Sequence, residues 1–499
     1  MTGEASVDPL EHVDVLVVGA GLSGIGAGYH LQTKCPQKSY AILEARGSIG
    51  GTWELFRYPG IRSDSDMFSF GYAFRPWSGD KVLADGPAIQ EYVTRTAREF
   101  DVERKVRYGL KAQRADWSSG EGRWTVTVLD TGTGQSRTLR ARHVIACTGY
   151  YDYDQGYLPD FPGQERFRGQ RIHPQFWPEN LDYRGKQVVV IGSGATAVTL
   201  VPAMAADAAR VTMLQRSPTY IFSVPANSML SRVLGYFLPE RAVFALSRKF
   251  YIGLQRWIYL ASRRWPRAAR KVFLWLVQRH LGPGHDMRDF TPRYQPWDER
   301  LCAVPDADLF EAIKAGKAAV VTAEIEAFTE GGIRLKSGAE LPADIIVTAT
   351  GLQVQALGSV QLSVDGQPYE VNRHMTYKAV LPEGLPNFAC IFGYSNVSWT
   401  LKVDIAAAYL CRLLRHMRAG RHEIFVARAP RDAVPEGSVF DSLTSGYVRR
   451  GQDQLPRQGR AAPWRVTHDY LRDREMLLRE PVDDGVLGFS TVARRSEGA

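Results

Sequence analysis

The chain has 499 residues, 44% hydrophobic and 23% charged, with a formal net charge of +9. That length exceeds what one hydrophobic core supports and predicts two or three domains. The polar N-terminus (MTGEASVDPLEHVD) and the lack of a run of roughly 18 apolar residues argue against a secretory signal and a spanning helix.

The five cysteines, Cys35, Cys147, Cys302, Cys390 and Cys411, form no CxxC and no metal-ligand spacing. A reduced cytoplasmic setting with no metal centre is therefore expected. The positive charge is compatible with nucleic acid, an anionic surface or an anionic cofactor.

The run from Val13 reads as a buried strand leading into Gly19-Ala-Gly21-Leu-Ser23-Gly24 and an Ala/Gly-rich helix. Such a turn needs glycine for its tightness, for the approach of a pyrophosphate and for close helix packing. The helix N-terminus then offers free N–H groups to the phosphates. The next strand ends at Glu44, an acid placed to bond ribose hydroxyls. These features predict a dinucleotide site suited to FAD.

A second copy begins at Gln187, whose strand runs into Gly192-Ser193-Gly194-Ala-Thr196-Ala197, with alanine in the third glycine position. Its following strand ends in Arg216-Ser217 instead of an acid, which suits a 2′-phosphate and hence NADP. The alternative is a surface arginine at a strand end.

The segments 141–149 and 343–351 both read as strands ending in Thr-Gly, and the first is expected to close the first sheet. They are natural crossing points between two domains. The expected organisation is α/β, with two Rossmann-like dinucleotide-binding domains and a helical insert. Residues 1–150 and 351–499 form the FAD domain, 151–218 and 300–350 the NADP domain, and 219–299 the helical subdomain. In the C-terminal part, a helix is expected over about 400–417, with Ile405, Leu410, Leu413 and Leu414 on an apolar face.

Between Glu240 and Gly282 lie ten Arg or Lys residues and one acid, interleaved with aromatics. A helical subdomain with snorkelling arginines is the preferred reading. The alternatives are peripheral membrane contact and part of a hydrophobic substrate mouth; nucleic acid is not expected.

Two longer motifs add a resemblance. The run Gly50-Gly51-Thr52-Trp53 through Tyr58-Pro59-Gly60-Ile-Arg62-Ser63-Asp64 resembles the flavin-side motif of Baeyer–Villiger monooxygenases. Phe167-x-Gly169-x-x-x-His173-x-x-x-Trp177-Pro178 resembles that family's identifying motif. Simple N- and S-oxidising flavin monooxygenases share its shorter part but usually lack the Trp-Pro ending. The segments "RYPGIRSDSDM", "GSGATAVTLVPA", "LQRSPTY", "PWDERLC" and "GYSNVSWTLK" are similar to the bacterial subgroup of ethionamide-activating FAD-containing monooxygenases, over nearly the whole chain.

The resemblance implies that NADPH reduces FAD and that O2 adds as a C4a-peroxyflavin. Attack on a ketone then gives an ester or lactone, with oxidation of sulfur as a side activity. The substrate would be a small apolar ketone or organosulfur compound.

It places the catalytic cation on Arg300, with Arg293 as the nearby alternative, and its carboxylate partner on Asp64, in preference to Asp66. Thr52 and Trp53 would lie against the flavin, and Ser23, Arg62 and Ala112 join the cofactor contacts. Glu299 stands where many relatives carry a lysine for the NADP phosphate, which shifts that load to Arg216. His173 has no second metal ligand nearby; direct catalysis is the lesser alternative, and a brace in the interdomain linker, with Trp177 beside it, is preferred.

Rival readings are an N- or S-oxidising monooxygenase without ketone activity, a disulfide reductase, which the cysteine spacing disfavours, and a nonenzymatic NADP(H) sensor.

Overall fold

The computed structural model describes residues 11–299, 301–394, 396–441 and 445–492. Its frame is two parallel sheets. The first runs Val106–Arg107, Tyr40–Leu43, Glu11–Val18, Ser136–Ala146, with Phe388–Cys390 beside the last of these, all parallel.

The strand Glu11–Val18 is apolar at most positions because helices and a further sheet layer cover it on both faces. Val15 and Val17 pack with Ile25, Leu31 and Val403, whereas Leu16 packs with Trp117, Trp124 and Phe388. The segment at 141–149 does not close this sheet. Its strand, Ser136–Ala146, is central, because Phe388–Cys390 from the C-terminal part adds beyond it and an antiparallel branch through Arg123–Asp130 and Leu110–Ser118 starts from its N-terminal half. A contribution from so far along the chain leaves no local trace in sequence.

The second sheet has the order Ala318–Thr322, Arg210–Gln215, Gln187–Ile191, Ile345–Thr348, Gln170–Ile172, all parallel. Val188 and Val190 pack towards the helix Ala195–Met204; Val189 and Ile191 pack towards Phe167, Phe328 and Ile333. The chain passes between the sheets twice, and the two passages, Tyr151–Gly156 and Leu352–Val354, pair as an antiparallel ribbon.

The region expected to be helical over 219–299 opens instead with the strand Ile221–Val224, which pairs with Cys302–Pro305. Helices follow at Met229–Gly235, Glu240–Arg264 and Pro266–Leu281. Pro266 at the first helical position separates the last two. Beyond Leu281 there is one short turn, Met287–Phe290, because the glycines and prolines of 282–296 do not sustain a helix.

The C-terminal helix spans Trp399–Ala419 and is buried nearly all round, not on one face, since it lies between the helices Leu22–Lys34 and Tyr470–Leu478. Lys402 is tolerated there because its ammonium meets the buried Asp473 carboxylate at 2.7 Å. Among the described residues no helix is long and apolar enough to cross a membrane.

Candidate functional site

Both glycine turns press against the end of a crossing strand. Gly19 has φ +103°, and a Cβ there would lie 2.6 Å from the Cys147 carbonyl oxygen; Gly192 has φ +138°, and its Cβ would lie 2.3 Å from that of Ala349. Only glycine meets both demands. The two strands ending in Thr-Gly therefore serve the same purpose in each sheet, clamping a turn that opens a helix.

The first turn borders a cavity of about 950 Å³. Gly19, Gly21, Ser23, Glu44, Gly51, Thr52, Trp53, Asp64 and Ala112 lie in its wall; Gly24 sits one turn deeper, buried in the helix Leu22–Lys34.

Glu44 is buried and accepts from the backbone N–H of Ala20 at 2.8 Å and of Arg46 at 2.9 Å. Burial pushes its carboxyl above the usual range, and those hydrogen bonds oppose the shift. Ser23 Oγ accepts from the Trp399 indole at 2.9 Å. Thr52 Oγ1 lies 3.3 Å from the Tyr153 hydroxyl, and Trp53 stands edge-on to Phe70 at 5.7 Å.

The two candidate aspartates divide by geometry. Asp66 is buried as an N-cap and accepts from Ser69 N at 2.8 Å, from Ser69 Oγ at 2.6 Å and from Gln255 Nε2. Burial raises its carboxyl. Asp64 is exposed at the cavity wall. Arg62 stands outside the wall, its guanidinium donating to Asp308 at 2.6 Å. Burial raises Asp308, and Arg62 pulls it back. The expected catalytic cation, Arg300, lies outside the described residues; its alternative Arg293 is exposed.

The other end of the cavity is apolar. Phe222, Tyr251, Leu254, Ile258, Phe273 and Leu301 line it, four of them from the two long helices. The basic aromatic block is thus a helical subdomain that also walls the cavity.

The second turn lies outside this cavity. Ser193 Oγ donates to the Ser217 carbonyl at 2.9 Å, while Gly194, Arg216 and Ser217 are exposed. Thr196 hydrogen-bonds the Tyr58 hydroxyl, whose pKa burial pushes up to about 12, and Ala197 is buried against the sheet. Glu299 is half-buried, and burial raises its carboxyl while Arg449 and Arg216 pull it down. Arg450 stacks over the Tyr157 ring at 3.4 Å; burial lowers its pKa, and Arg216 repels it. Arg449 and Arg450 thus share electrostatic neighbours with Arg216, the first through Glu299 and the second directly.

His173 sits at the ribbon between the sheets. Gln175 N–H donates to its Nδ1 at 3.3 Å, which leaves Nε2–H to donate to the Gly351 carbonyl at 3.2 Å. Burial lowers its pKa, in keeping with this neutral tautomer. Trp177 packs at the edge of the second core.

Asp308, Tyr153, Trp399, Arg449 and Arg450 were not read from sequence. The tandem arginines after Tyr447 were the one local signal among them.

Residues 83–397 match the flavin-binding monooxygenase-like family, and residues 17–79 match an NAD(P)-binding Rossmann-like domain. The putative FAD-containing monooxygenase MymA of Mycobacterium tuberculosis is 58% identical over 488 residues, covering 97% of this chain and 99% of that protein. The FAD-containing monooxygenase EthA of the same organism is 51% identical over 482 residues, covering 96% and 98%. In fold, the chain is similar to an oxidized steroid monooxygenase bound to NADP, with TM-score 0.76 and 20% identity over 96% of this chain and 100% of that one. The chain belongs to the flavin-binding monooxygenase-like family.

Proposed function

We propose that this chain is a Baeyer–Villiger monooxygenase that uses FAD, NADPH and O2 to convert apolar ketones into esters or lactones, and that also oxidises organosulfur compounds. The observation that carries this reading is the cavity itself. The Gly50–Asp64 segment walls one end beside the first glycine turn, and an apolar chamber adjoins it.

The residues fit both dinucleotides. Neither helix that follows a glycine turn, Leu22–Lys34 or Ala195–Met204, has a side-chain cap or an acid in its first turn. Their first N–H groups are left for phosphate. In this reading Glu44 bonds the FAD ribose, and Arg216 with Ser217 the 2′-phosphate of NADPH. In this reading residues 1–150 and 351–499 hold FAD, 151–218 and 300–350 hold NADPH, and 219–299 cover the substrate end.

When bound, reduced FAD supplies the activated oxygen. Thr52 and Trp53 hold its ring system, and the apolar chamber orients the ketone and excludes water that would divert oxygen to peroxide. Arg300 offers a permanent positive charge to the oxygen being transferred as a carbon migrates from the carbonyl. Asp64, at the cavity wall, is the carboxylate that this reading assigns as the partner of Arg300. His173 braces the ribbon through which the two nucleotide domains are joined.

Aerobic incubation with NADPH and a panel of ketones, with products identified by mass, tests the reading. A gain of one oxygen as ester supports it; sulfoxide or N-oxide alone transfers the chain to the heteroatom-oxidising class. Arg300→Ala is expected to retain FAD and NADPH-driven flavin reduction but to lose ester formation.

A further inference from the structure

The helices that wall the cavity, and the turns that join them, also carry large apolar side chains outward. Phe237 is 80% exposed, Trp257 66%, Trp265 60% and Trp275 57%. Along Glu240–Arg264, the exposed Leu246, Phe250, Leu254, Trp257 and Leu260 recur every third or fourth residue, so they form one stripe along the helix. Phe250 and Leu254 belong to the cavity wall as well, so the stripe is continuous with the apolar end of the cavity.

The charge around this stripe is one-sided. Of its ten cations, Arg248, Arg256 and Arg263 pair with Asp404, Asp469 and Asp298, and Arg270 donates to Tyr220. Arg241, Lys249, Arg264, Arg267, Lys271 and Arg279 are exposed and have no carboxylate partner among the described residues. A second copy of the chain would bring the same cations against each other. An anionic bilayer supplies the opposite charge, an apolar interior for the stripe and an interface that favours tryptophan.

We propose that this face docks on an anionic lipid bilayer, with the helices Glu240–Arg264 and Pro266–Leu281 lying in the headgroup region and the apolar end of the cavity next to the lipid. Docking is independent of the ketone reading, since it depends only on this surface.

The full-length holoenzyme is sedimented with vesicles of phosphatidylcholine alone or of phosphatidylcholine mixed with phosphatidylglycerol. Binding is expected only to the mixed vesicles and should be lost at high salt. Lys249→Gln with Lys271→Gln should weaken partitioning by on the order of thirtyfold, each cation near an anionic surface contributing roughly fivefold. Trp257→Ser with Trp275→Ser should weaken it by about tenfold or more through lost apolar burial. Both double variants should reduce flavin with NADPH in solution as the parent does, which shows that they fold.

Absence of binding, equal binding to both vesicle types, or variants that bind like the parent would overturn the proposal. So would light scattering that shows a dimer dissociated by the tryptophan changes, which would assign the face to a second copy.

Discussion

His173 shows how a single side chain can be read two ways until its partners are known. Both ring nitrogens are used, one accepting from Gln175 N–H and the other donating to the Gly351 carbonyl, and the Tyr157 backbone also bonds the ring. Burial lowers its pKa from 6.5, so the folded protein binds this proton less well than the unfolded chain does. The sign follows: the ring's stabilisation is fully present above 6.5 and is lost as pH falls through the lower, folded value. Replacing it, His173→Asn, should cost about 1–3 kcal/mol at pH 8. The gap in Tm between the two proteins should close as pH falls below 6.5. A gap that stays constant with pH would remove the titrating hydrogen bonds from the account.

At the scale of elements, the charges around Arg216 come from three parts of the chain. The strand Arg210–Gln215 delivers Arg216, the short helix Gly446–Gly451 delivers Arg449 and Arg450, and the loop before Leu301 places Glu299 among them. Arg216→Ala should raise the KM for NADPH between roughly tenfold and a hundredfold, the worth of a charged hydrogen bond, and leave that for NADH nearly unchanged. Glu299→Gln should lower the NADPH KM a few-fold if Arg216 meets the 2′-phosphate as proposed, because a half-buried carboxylate beside it repels the ligand. Steady-state kinetics with both nucleotides checks each; equal effects on NADH and NADPH would show that Arg216 does not meet the phosphate.

The two glycine turns and Glu44 were legible in sequence because each is a local arrangement with its own spacing, and the Gly50–Asp64 segment was legible through its resemblance to a family motif. Phe388–Cys390 joining the first sheet was not, nor was the burial of Trp399–Ala419 on every side, because both depend on what packs there from far along the chain. Arg449 and Arg450 were missed for the same reason: the groups they meet, Glu299 and Tyr157, lie far away along the chain.

Over the whole molecule, the flavin-side motif is fastened to the second sheet's helices. Tyr58 bonds Thr196 on the helix Ala195–Met204, and Arg62 pairs at 2.6 Å with Asp308, at the start of the helix Asp308–Lys314. The Arg62 side chain is 12% exposed and that of Asp308 29%, so removing one leaves a poorly solvated partner. Arg62→Ala should therefore cost about 2 kcal/mol, below the range for a fully buried pair. Adding Asp308→Ala should recover at least about 1 kcal/mol of that loss, since the two residues contact each other. The pH dependence has a definite sign. Burial already raises Asp308, and without Arg62 its carboxyl rises further. The penalty of Arg62→Ala should thus shrink as pH falls and Asp308 protonates. If the pair also registers the two nucleotide turns, NADPH-driven flavin reduction should slow in Arg62→Ala while reduction by dithionite does not, as measured by stopped-flow absorbance. Additive stabilities in the double variant would deny the coupling, and unchanged NADPH-driven reduction would confine the pair to holding the fold.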